Sequence, residues 1–182
     1  MSSVADLRPL LSDGALRGRV PDDFDDRAAE VLGRAVGTLA RRRGLLRTSF
    51  VLSTEPGPGG LLLLRDGLVR GLLQSGHDVA DLGRASADEH AAALERVAHG
   101  SGARLFLDED CCGVSFALDG RDLDARDLDE VCAIAASGDL SSGFGALRVI
   151  DRAANDLVED LAPLSEPTLA DDDALPAPDD ER

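Results

Sequence analysis

Asp108, Glu109, Asp110, Cys111 and Cys112 form the densest run of reactive groups in the chain. Three carboxylates in succession offer oxygen ligands to a hard cation. The cysteines offer thiolates, the nucleophilic form of the side chain, but neighbouring acids raise a thiol's pKa and so disfavour that form. The plainer reading is a solvated, acidic hairpin tip followed by two small apolar loop residues. No catalytic residue and no metal ligand is assigned to it.

Two other features carry chemical potential. Residues 55–60 read Glu-Pro-Gly-Pro-Gly-Gly and precede a helical pattern. Backbone N–H groups at such a helix start can cradle a phosphate. The stretch lacks the lysine and the spacing of a P-loop, and reads more simply as a strand-to-helix turn. His77, His90 and His99 converge on nothing in the sequence and are expected at surface or boundary positions. With no Cys-x-x-Cys pair, and Cys132 as the remaining cysteine, neither a zinc site nor a disulfide framework is expected.

Composition narrows the partners. The 182 residues carry a net charge of −16, and all 19 basic residues are arginines. A field of that sign repels phosphate backbones and anionic bilayers, so neither nucleic acid nor membrane is an expected partner. An acidic, lysine-free surface suits a salt-filled cytoplasm, where molar cation screens the carboxylates. The first eleven residues lack a signal-peptide pattern, and no apolar run approaches membrane-spanning length. A soluble, cytoplasmic protein is expected. Hydrophobic residues at 43% are enough for a sizeable core, and aromatics at 3% mean that Leu, Val, Ile and Ala must build it.

Short apolar runs alternate with amphipathic helical stretches, the rhythm of an α/β sandwich. Strands are expected at 16–20, 49–53, 78–82, 104–107 and 113–118, with a short extended piece at 147–150. Phe24, Ala28, Val31, Leu32, Ala35 and Leu39 mark one helical face, capped by Asp22 or Asp23 and stopped at Gly44. Leu61, Leu64, Leu68 and Leu72 mark a second helix. Ser86 and Glu89 have capping-box spacing and open a third helix, expected to run to about His99. Asp124 caps a fourth, through Ala136, and a last helix is expected at 152–161. The fold class is α/β: a three-layer α/β/α sandwich with a mostly parallel sheet of about four to five strands and one antiparallel edge strand. The domain is placed at 1–162 and an acidic tail at 163–182, with 165–182 too polar to order itself.

The order of these pieces resembles the first domain of the α-D-phosphohexomutases, the phosphoglucomutase and phosphomannomutase family. Residues 11–18, LSDGALRG, stand where that family has F-G-T-x-G-I-R-G and keep Arg17 and Gly18. Residues 32–37, LGRAVG, are similar to its L-G-R-A-L-G. Residues 68–83, LVRGLLQSGHDVADLG, resemble its A-A-G-L-x-x-x-G-x-D-V-x-D-L-G helix and strand. Residues 119–123 resemble the turn and helix start after the antiparallel strand, and 145–161 the helix that leaves the domain. The match covers roughly residues 10–161.

The resemblance implies an intramolecular phosphotransferase, but one without its central part. Family members carry a phosphoserine in a loop of the form T-A-S-H-N-P after the fourth strand. Here that place holds Asp108, Glu109, Asp110, Cys111 and Cys112, and the loop is shorter by about four residues on the hairpin register. The family's magnesium loop, D-G-D-G-D-R, does not occur in the sequence, so no cofactor is expected. By resemblance, Arg17 is the surviving candidate for phosphate contact; its alternative is a partnership with a surface carboxylate. The chain is therefore expected to be a catalytically inactive module linked to hexose phosphate metabolism. Its expected partners are a complete phosphohexomutase, a second copy of itself or a sugar phosphate. The alternatives are a subunit of a split phosphohexomutase and a purely structural homodimer.

Overall fold

The computed structural model describes residues 6–57 and 59–150. The helix expected at 152–161 and the tail from 163 lie outside the described residues. The elements run β1 (Leu11–Ser12), β2 (Ala15–Gly18), α1 (Asp26–Arg42), β3 (Ser49–Thr54), α2 (Gly60–Gln74), β4 (Asp78–Arg84), α3 (Ala87–Leu94), β5 (Ser101–Asp108), β6 (Cys111–Leu118), β7 (Arg121–Asp122), α4 (Ala125–Ser137) and β8 (Leu147–Val149). They form one sheet in the order β1-β2-β6-β5-β3-β4-β8, with β7 paired to β6. Strands β5, β3, β4 and β8 are mutually parallel, and β6, β2, β1 and β7 add antiparallel pairings.

The α/β/α sandwich is the architecture expected, with a larger sheet than the four to five strands anticipated. Strand β6 is not an edge strand, because β2 pairs on its outer side. The strand expected at 16–20 is β2, Ala15–Gly18, and the short β1 precedes it. Asp13 and Gly14, both at positive φ, turn the chain from β1 into it. At Gly14 this needs a residue without a Cβ penalty.

Alternation along β3 divides the core. Phe50 and Leu52 enter the larger cluster, with Leu32, Val36 and Leu39 of α1 and Leu64, Leu68 and Leu72 of α2. Val51 enters the smaller one, with Ala80, Leu82, Ala93 and Ile150. Helices α1, α2 and α4 thus cover one face and α3 the other.

Local chemistry sets the helix ends. The α1 cap is Asp25, whose Oδ1 accepts from Ala28 N at 2.7 Å, rather than Asp22 or Asp23. Asp23 instead accepts from Arg19 N and Nε. Arg41 and Arg42 sit in the last turn, where positive charge suits the helix dipole, and Gly44 follows at φ +89°. Ser86 and Glu89 complete the capping box of α3 as expected. That helix stops at Leu94, well before His99. Val97 turns extended and packs on the smaller cluster, and His99 takes a left-handed φ of 66° before β5.

Asp124 and Asp127 cap α4 reciprocally. Burial works against the Asp127 carboxylate, but hydrogen bonds from Arg121 and Arg43 outweigh it and hold its pKa at about 2.

Candidate functional site

The acidic run becomes a tight hairpin. Asp108 of β5 pairs with Cys111 of β6, so Glu109 and Asp110 alone make the turn. Glu109 takes φ +52° to close it. Both turn residues are exposed, Cys111 is half-buried and Cys112 is buried. Burial, and then the neighbouring Cys111, raise the Cys112 pKa. Its thiol is held protonated, the reverse of what a nucleophile needs.

Beside the tip lies an open cleft of about 440 Å³, lined by Val20, Gly60, Leu107, Glu109, Asp110 and Cys112. Gly60 is the first residue of α2, and Gly59 before it provides no side-chain cap. The positive end of that helix shares the cleft with two carboxylates of its own chain, which answer the dipole and leave little field for a phosphate. Glu55 in the preceding turn is used structurally. Its Oε2 accepts from Leu107 N at 2.9 Å and its Oε1 from Arg104 at 3.3 Å. Among the described residues no cluster of three or more His, Cys, Asp or Glu could hold a metal ion.

Arg17 lies on β2, opposite Gly113 of β6. Its Nη1 donates to Ser12 O at 2.8 Å, and its Nε sits 2.9 Å from Asp108 Oδ2 without hydrogen-bond alignment. Asp13 adds a carboxylate at 3.7 Å. The Arg17 and Arg104 guanidinium carbons each stand 5.6 Å from the centroid of Phe106. The Phe106 ring occupies the space that a Cβ on Gly113 would need. The structure thus joins Arg17 to the hairpin through Asp108, a carboxylate that competes with any incoming phosphate.

Two histidines depart from the sequence expectation. His77 is fully buried, as a bracket between helix and strand. Its Nε2 lies 2.9 Å from Gly37 O, its Nδ1 takes the Thr48 N–H at 3.4 Å, and its ring meets Phe50 edge-on. His90 is 7% exposed, with Nδ1 2.8 Å from the Oγ of fully buried Ser53. The signal was its spacing with Ala93 and Leu94 on one face of α3; the partner on β3 could not be read from spacing. A Ser–His pair resembles a catalytic dyad, but Ser53 Oγ is closed off under α3, so no substrate reaches it.

Burial, and then Arg104, lower the His90 pKa to about 4, with Asp122 opposing. Its imidazole is neutral in the fold and takes a proton on unfolding below about pH 6.5. The stabilisation is complete above that pH and is lost as pH falls towards 4. Urea unfolding should show stability falling by roughly 2 kcal/mol between pH 7 and pH 5. His77, lowered mainly by its burial, acts in the same sense. His90→Gln should lose most of the His90 share of that drop; an unchanged pH dependence would mean His90 does not contribute.

This geometry defines an α/β/α domain whose strand ends carry a closed acidic hairpin and an internally paired arginine. No protein-family model matches the chain, and no curated protein matches it. Solved structures do share the fold. A phosphoglucomutase/phosphomannomutase family protein from Burkholderia thailandensis superposes with a TM-score of 0.68 at 19% identity, over 80% of this chain and 34% of that one. A candidate phosphomannomutase from Thermus thermophilus superposes with a TM-score of 0.64 at 20% identity, over 81% and 33%. The chain has the fold of one portion of these proteins and spans about a third of their length.

Proposed function

We propose that this chain is a non-catalytic relative of the first phosphohexomutase domain, acting as a binding or regulatory module in hexose phosphate metabolism. The observation that carries this is the two-residue turn between β5 and β6. By the resemblance drawn from the sequence, this is where the family places its phosphoserine loop. Phosphoryl transfer requires a nucleophile to hold the group and cations to stabilise it. Here the hairpin offers a protonated thiol and three carboxylates. Each carboxylate about 4 Å from a phosphate charge repels it by roughly 1–4 kcal/mol, depending on the local dielectric.

The test is direct. Purified chain, with magnesium and each of glucose and mannose 1- and 6-phosphate, should give no interconversion and no phosphoprotein by intact mass. Turnover, or a stable phosphoryl adduct at the hairpin, would overturn the reading. A second reading, a subunit of a split mutase, draws on the fold likeness to one portion of the family structures. Affinity capture from the native host at its own salt separates the two. A complete phosphohexomutase favours regulation, whereas a chain holding only the family's later domains favours complementation.

A further inference from the structure

Helix α3 holds its face of the sheet alone among the described residues, and it does so with few apolar groups. The residues it buries are His90 and Ala93, whereas α1 buries nine. Leu94 is partly buried beside them. The helix rests on the backbone of β5: a Cβ on Gly102 would come within 2.6 Å of Leu94 Cδ2 and 3.3 Å of His90 Cε1. The largest side chain that α3 buries is therefore an imidazole rather than a hydrocarbon.

That imidazole is poorly placed to carry a charge. Its Nδ1 meets the neutral Ser53 Oγ of β3. Strand β4 gives Ala80 and Leu82 to the same cluster. Of the charged groups acting on the ring, Arg104 of β5 opposes a proton and Asp122 of β7 favours one. Asp88 and Glu89 of α3, and Glu95 just after it, lie at exposed positions.

The chain is fixed on either side of the helix. Ala85 is buried and donates its N–H to Thr54 O at 3.0 Å, and after the helix the turn at His99 and Gly100 leads into β5. Residues 86–97 lie between these points, and the Ser86–Glu89 capping box lies inside them, so the helix keeps its cap if it lifts away. We propose that residues 86–97 open as a unit of their own while the rest of the domain stays folded, and that protonation of His90 drives this opening in acid. An exposed imidazole takes a proton below about pH 6.5, whereas burial makes the closed one resist. The open population therefore rises about tenfold for each pH unit below 6.5, until the buried ring also protonates near pH 4. Opening uncovers Val51, Ala80 and Leu82, an apolar stretch across two central strands.

The test is hydrogen exchange by mass spectrometry on the full chain, with protection taken against free-peptide rates at each pH. At pH 7, amides of 90–94 are expected to be less protected than those of 35–39 by about tenfold or more, and low urea should leave their protection unchanged. Between pH 7 and pH 5 the protection of 90–94 should fall about thirtyfold. His90→Gln should remove that pH dependence, whatever its level of protection. Leu94→Ala, which keeps the imidazole, should lower protection by the same factor at both pH values. Equal protection at 90–94 and 35–39, with the same urea dependence, would mean that α3 opens only when the whole domain unfolds, and would overturn the proposal. So would protection that stays flat from pH 7 to pH 5, or a fall that His90→Gln retains.

Discussion

Gly71→Ala is expected to destabilise the protein by about 2–4 kcal/mol, although alanine is the better helix former by about 1 kcal/mol. The two effects have opposite signs, so the outcome reports the packing. Helices α1 and α2 meet through their backbones. A Cβ at Gly71 would drive into the carbonyl oxygen of Glu30, and one at Gly67 into that of Asp26. From the other side, a Cβ at Gly33 would come within 2.6 Å of Leu68 O, and one at Gly37 would strike Ser75. The obstacles are mostly main-chain atoms, which cannot rotate away, so the helices would have to separate and open the cluster around Leu32, Leu68 and Leu72. Urea unfolding of Gly71→Ala, beside Gly67→Ala, measures this. A gain in stability at either site would show that the helices can part freely.

Arg65→Ala is the second large expected loss, at about 3 kcal/mol. Asp81 is wholly buried, and its carboxylate is held by Arg65 and by Gly83 N at 2.8 Å. Removing the arginine leaves a buried carboxylate with one N–H for company. Removing the acid is milder, because Arg65 is partly exposed and can turn towards solvent. Asp81→Asn should therefore cost less than Arg65→Ala, and Arg65→Ala combined with Asp81→Leu should recover much of the loss. A double-mutant cycle reads the coupling. If Arg65→Ala unfolds within about 0.5 kcal/mol of wild type, the pair contributes nothing measurable.

Sequence periodicity reached the large elements because it follows burial. The apolar stripe of α1, the runs of β3 and β4 and the capping box of α3 all sit where their spacing put them. The short pieces were illegible. Strand β1 has two residues and β7 two, and both exist only because a longer neighbour offers hydrogen bonds. The Ser53–His90 pair joins positions 37 apart and needs the tertiary fold to appear. The Gly residues in the stretches quoted for the family resemblance have a physical account here. Gly33, Gly37 and Gly71 mark a helix contact, so those stretches report packing rather than chemistry. The hairpin was visible because two apolar runs left too few residues for a functional loop. That Arg17 would be occupied by Asp108 was not, since β2 had no strand partner in the sequence reading.

The pairing of β2 with β6 bears on the order of assembly. The links between β3, β4, β5 and β6 hold 23, 16 and 2 residues, so these strands can pair in sequence. Leu16 and Val114 are roughly a hundred residues apart, and closing such a loop carries a larger entropic cost than any neighbouring hairpin. The strand bearing Arg17 is therefore expected to join after the later residues have paired. A ribosome would release most of this domain before its first strand found its place.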